Sequence, residues 1–179
     1  MQDIINLQEL LKIYTETLCD KTFNLEIKKD KSIKIVFFRE SMCHLMGLQY
    51  VFGKNKHFLG AKGYEKIKQG EITEQGLKRH NRKGFNYIKG RLTYFDEIIS
   101  VVNDGIIYEF TDKDSYSSRI NATLILNKDN TSYELNLFVV KDSGSECNIY
   151  TPVSFFPIFS GDKDYKRFTD RKKPIKKCN

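Results

Sequence analysis

Residues 122–156 read ATLILNKDNTSYELNLFVVKDSGSECNIYTPVSFF. Three apolar runs, Ala122–Leu126, Ser132–Val140 and Cys147–Phe156, are separated by two short polar segments, Asn127-Lys128-Asp129-Asn130 and Asp142-Ser143-Gly144-Ser145. Runs of this length joined by turn-forming residues predict consecutive antiparallel strands. Ile106–Phe110, just after Asn103-Asp104-Gly105, adds an earlier strand and makes a four-stranded meander.

Upstream the periodicity changes to helical. Ile4, Leu7, Leu11, Tyr14 and Leu18 recur every three or four residues and predict a helix over 3–19, with Asp3 placed to cap it. Shorter helices are expected at 61–70 and 73–80. A longer one is expected at 84–102, where Ile88, Leu92, Phe95, Ile98, Ile99 and Val102 keep one face apolar. Between them, residues 42–52 are largely apolar, with a single His and a single Gly, and read as a buried connection. Phe23, Leu25 and Ile27, then Ile33, Ile35 and Phe37, alternate around Lys28-Lys29-Asp30-Lys31 and predict a short N-terminal hairpin. Helices first and strands afterwards give an α+β fold: N-terminal helices packed on a C-terminal antiparallel four-stranded meander.

The 179 residues suit one domain over 1–168, followed by a basic, flexible tail at 169–179. Thirteen Phe and ten Tyr argue for a packed core rather than disorder. No apolar run spans a bilayer and Met1-Gln2-Asp3 does not begin a secretory signal, so a cytoplasmic location with no membrane partner is expected. Cys19, Cys43, Cys147 and Cys178 form no CxxC and read as free thiols.

Charge is segregated. Residues 54–91 hold eleven Lys and Arg against three Asp and Glu, a net +8, and 161–179 carry +5, while 92–160 carry −6. A basic band suits phosphate neutralisation, and its RNA contacts are expected at Lys78, Arg79, Arg82, Lys83, Lys89 and Arg91. The same band also fits a solvated helix face. A helix-turn-helix at 61–80 is disfavoured because Gly63, Gly70 and Gly76 interrupt it.

No GxxxxGK loop, GxSxG elbow or closely spaced His pair is present, so no metal or cofactor is expected. Metal-independent RNA cleavage needs only an acid, a base and cations around the phosphorane. His44 stands alone in its apolar run and is expected at the edge of the core, as an acid–base group or as a satisfied core histidine. Pro152 inside a strand marks an edge or bulge. By strand period Tyr150, Pro152 and Ser154 share one face. Arg119 and Lys141, beside neighbouring strands, are candidate cations.

Phe38, His44-Leu45-Met46-Gly47-Leu48, Ala61, Tyr64, Gly70-Glu71-Ile72-Thr73, Arg91, Phe95 and Tyr150-Thr151-Pro152-Val153-Ser154-Phe155-Phe156 occur in an order that resembles the fourth group of phage barnase–EndoU–colicin–RelE-like nucleases, found in phages and mobile elements of Gram-positive bacteria. The likeness spans roughly residues 2–168. It implies helices on an antiparallel sheet and a metal-independent, toxin-like endoribonuclease acting on tRNA or mRNA by 2′-OH attack, with RNA and an inhibitory protein as expected partners. By the resemblance His44 would be the general acid or base, Ser154 and Tyr150 would contact the scissile phosphate, and Arg119 and Lys141 would stabilise its charge. The alternative is a non-catalytic phage or mobile-element protein that binds nucleic acid or a host protein on the same fold.

Overall fold

A computed structural model describes residues 4–28, 31–111, 120–144, 148–170 and 172–175. The chain sorts into two compact units. One comprises the residues up to Asp20 together with Phe38–Asp96, the other Lys21–Phe37 together with Glu97 onward.

The first unit is helical: α1 (Leu7–Thr17), α2 (Ser41–Leu45), α3 (Gln49–Phe52), α4 (Gly60–Lys68), α5 (Glu74–His80) and α6 (Arg82–Thr93). Helix α1 starts later than its apolar period suggests because Asn6 is the cap: its Oδ1 accepts from the Gln8 and Glu9 amides at 3.1 and 3.2 Å. Asp3 lies outside the described residues. Leu7, Leu11 and Tyr14 form the buried stripe of α1, and the Tyr14 hydroxyl donates to the Phe38 carbonyl at 2.8 Å. The stretch expected as a connection folds as two short helices, α2 and α3. Met42, Cys43, Leu45, Met46 and Leu48 are all fully buried there, which hides any periodicity. Each such side chain contributes about 1.5–3 kcal/mol of burial free energy.

Helix α6 begins on Asn81, whose Oδ1 accepts from the Gly84 amide at 2.9 Å. Gly84 is required here, because a Cβ would stand 2.3 Å from the Tyr50 carbonyl oxygen, and its absence lets α6 lie against α3. The single helix expected at 84–102 is broken. It stops at Thr93, passes through a 3₁₀ turn at Phe95–Glu97 and resumes as α7 (Ile98–Asp104). The chain changes unit between Asp96 and Glu97, so Phe95 is buried in the first core, where its ring lies 6.0 Å from that of Tyr14, and Ile98 in the second.

The second unit holds one six-stranded sheet in the order β1-β2-β6-β5-β4-β3: β1 (Thr22–Lys28), β2 (Lys31–Val36), β3 (Ile106–Glu109), β4 (Leu124–Asp129), β5 (Tyr133–Lys141) and β6 (Ile149–Phe159). The expectation of four strands is corrected, since the N-terminal hairpin joins the sheet. β2 runs parallel to β6, with Lys34 opposite Ile149 and Ile35 opposite Tyr150. The remaining neighbours are antiparallel. Helix α7 packs on β4 and β5. On the face of Phe138, an aromatic cluster of Phe110, Ile125, Phe138, Ile158 and Phe168 forms a core, with the Phe138 and Phe168 rings 5.2 Å apart and edge to face.

Within 169–179, Lys172 and Ile175 reach β3. Ile175 donates its amide to the Ile107 carbonyl at 2.7 Å and bridges to β3, and the Lys172 ammonium donates to the Glu109 carbonyl at 2.9 Å.

Candidate functional site

In the first unit, α2 turns His44 outward. Met42, Cys43, Leu45 and Met46 are wholly buried while His44 itself is exposed. The histidine therefore belongs to the surface of its unit rather than to the core. Burial pushes the thiol of the neighbouring Cys43 up to about 12, so that sulfur is an inert packing group.

Gly47 follows at φ +81°, a left-handed conformation that reverses the chain between α2 and α3. Its amide donates to the His44 carbonyl at 2.9 Å and its carbonyl accepts from the Tyr50 amide at 2.9 Å. Against Gly47 lie Ile88 and Arg91 of α6.

Of the six cations expected to meet RNA, Lys78, Arg79, Arg82 and Lys83 are exposed and Lys89 is half-buried. Lys78 is paired with Glu74 at 2.6 Å, and Arg79 donates to Gln75 at 3.4 Å. Arg91 differs from the rest. Only 5% of it is exposed, and its guanidinium lies 5.2 Å from the Tyr50 ring and 5.8 Å from the Tyr87 ring. Burial pulls its pKa down, and the two tyrosines pull it back up. Arg91 is thus a structural cation beneath two aromatic rings and not a solvated phosphate contact.

In the second unit, β6 presents Tyr150 opposite Lys141 and Pro152 opposite Val139, but Ser154 opposite Phe138. Val139 and Phe138 are adjacent in β5 and point to opposite faces, so Ser154 is on the other side of the sheet from Tyr150 and Pro152. The cause is a bulge, with Val153 as the extra residue. The expectation that the three share a face is corrected. Ser154 is 7% exposed and Tyr150 8%, and desolvation raises the Tyr150 pKa. Lys141 is exposed at the end of β5. Arg119 lies outside the described residues.

One polar cluster goes unannounced by the sequence pattern. Asn127, Glu134 and Asn136 are buried together on the Phe138 face, and the Asn127 amide donates to Glu134 at 3.1 Å and to Asn136 at 3.0 Å. The Lys166 amide donates to the other Glu134 oxygen at 3.2 Å. Burial raises the Glu134 pKa, and the surrounding donors partly offset the rise. Polar residues at 134 and 136 between Leu135 and Leu137 look like an ordinary solvent-facing alternation. The segment that buries them, with Tyr165, Lys166 and Phe168, comes some thirty residues later.

Among the described residues no three His, Cys, Asp or Glu side chains gather as a metal-binding group, and no helix is long and apolar enough to cross a membrane. No curated protein and no solved structure matches the chain. The family model described as phage-Barnase-EndoU-ColicinE5/D-RelE like nuclease 4 matches residues 6–176, a span that includes the exposed His44, the Gly47 turn and the whole sheet. The chain belongs to this nuclease family.

Proposed function

We propose that the protein is a metal-independent endoribonuclease that cleaves RNA by attack of a 2′-hydroxyl on the adjacent phosphate. The observation that supports this most is the exposure of His44 among buried neighbours. Imidazole has the side-chain pKa nearest neutrality, so it can accept the 2′-OH proton or return one to the leaving 5′-oxygen. The 2′-oxygen forms a bond to phosphorus as the 5′-oxygen departs, leaving a 2′,3′-cyclic phosphate. Cations lower the charge of the phosphorane. Tyr150 and Ser154 are buried in the second unit. The substrate in this reading is tRNA or mRNA met in the cytoplasm of a bacterial host.

The test is cleavage of end-labelled RNA by the purified chain, with and without EDTA, beside His44→Ala. The reading expects EDTA-resistant cleavage that falls about 100-fold or more in the variant. Undiminished cleavage by His44→Ala removes His44 from the mechanism, and loss of activity in EDTA removes metal independence. The burial of Ser154 and Tyr150 favours a second reading, a binding protein without cleavage, and RNA retention with no products would select it.

A further inference from the structure

We propose that Tyr50, Tyr87 and Arg91 form a stacking platform for an unpaired base of a single-stranded nucleic acid. The inference rests on the nucleic-acid reading above and adds how the strand is held. Tyr50 is 45% exposed and Tyr87 62% exposed, although both are large aromatic side chains. Their ring centroids are 4.6 Å apart at an interplanar angle of 54°, so together they form a shallow open wedge rather than a closed stack. Arg91 lies against both rings from within and is itself buried, as described above. A guanidinium held against an aromatic face is stabilised by the ring quadrupole, and a partly desolvated one more so. The arginine therefore acts as a positioning residue that fixes the two tyrosines.

The surroundings select the occupant. Lys83, Tyr87 and Arg91 recur at i, i+4 and i+8 and so form one stripe along α6. Exposed Arg82 and Lys83 start that helix. A cation one helical turn from an exposed ring matches a nucleotide, whose phosphate and base are also offset. Paired bases in a duplex keep their faces covered. A single strand can turn a base onto an aromatic side chain, and any base will serve.

The experiment uses the full chain and a fluorescent 2′-O-methyl single strand, which cannot undergo 2′-OH attack, so binding is read by anisotropy without cleavage. Tyr87→Ala is expected to weaken binding about tenfold, while Tyr87→Phe, which keeps the ring, stays within about twofold. On an abasic strand of equal length the Tyr87→Ala effect should vanish. Unchanged binding by Tyr87→Ala, an equal loss on the abasic strand, or no single-strand binding by the unaltered chain overturns the platform. Cleavage of ordinary RNA is scored in parallel. Cleavage with no Tyr87 effect on binding refutes the platform and leaves the nuclease standing. A Tyr87-dependent interaction without any cleavage supports the platform and refutes the nuclease.

Discussion

Replacing Gly47 by alanine tests why the His44-Leu45-Met46-Gly47-Leu48 segment contains a glycine. Two costs arise at once. At φ +81° a residue with a Cβ loses about 1–2 kcal/mol against the right-handed alternatives. The new Cβ would also stand 2.8 Å from Ile88 Cγ2 and 3.0 Å from Arg91 Cδ. Neither neighbour yields easily, since Ile88 is fully buried and Arg91 is held against Tyr50 and Tyr87. Overpacking of this kind costs about 1–3 kcal/mol. The expected loss is therefore about 2–5 kcal/mol, a large part of the roughly 5–15 kcal/mol that holds a typical domain together. Gly53 is the control. It has φ +63° and ψ −135°, a region almost reserved for glycine, and nothing lies within 4 Å of the point where a methyl group would stand, so Gly53→Ala should show only a conformational cost of about 1–3 kcal/mol. Urea unfolding followed by circular dichroism at 222 nm reads both variants through the helices. A loss under about 2 kcal/mol at Gly47 would refute the packing argument, and one under about 1 kcal/mol the backbone argument as well.

Glu134 carries the pH prediction. Its folded pKa is raised, so the native state holds its proton more tightly than the unfolded chain, and stability falls as pH rises from the ordinary carboxylate range through the raised value. Glu134→Gln should flatten that decline in thermal unfolding measured between pH 4 and 8, and an unaltered slope would show that Glu134 is not its source. The Cys43 thiol, pushed up to about 12 and fully buried, should escape iodoacetamide at pH 8 until urea is added, as read by peptide mass mapping; rapid labelling of the native chain would contradict the packing of α2. Asn81→Ala removes the cap of α6 and the bond from Nδ2 to the Tyr50 carbonyl at 3.3 Å. It should lower stability by about 1 kcal/mol, and no measurable change would mean that solvent caps the helix equally well.

The strands at 106–159 were legible because each is a short apolar run and the segments between them are polar. The place of the N-terminal hairpin was not. Its pairing with β6 joins residues far apart in sequence, and no local pattern records it. Residues 42–52 concealed two helices because 42–48 are buried except at His44, and α3, four residues long, is too short to show a period. Strict alternation put Ser154 beside Tyr150. Pro152 signalled an irregular strand, but only the register shows that the extra residue is Val153 and that Ser154 has changed face. At Arg91 a count of charges was misleading: the same residue that adds to the basic band is withdrawn from solvent by Tyr50 and Tyr87. His44 shows the opposite case, a polar residue in an apolar run that the short helix α2 delivers to the surface.

The parallel pairing of β2 with β6 also sets a timetable. The Asn148 side-chain amide donates to the Ser32 carbonyl at 3.4 Å across a separation of 116 positions. A ribosome adding roughly 5–20 residues per second would leave the hairpin without this neighbour for about 10 s. During that interval one edge of β2 offers its amides and carbonyls to any extended chain nearby, including a second nascent copy. Lys31 and Lys34, both exposed on that strand, place positive charge where two such edges would meet and so discourage the wrong pairing until the last strand arrives.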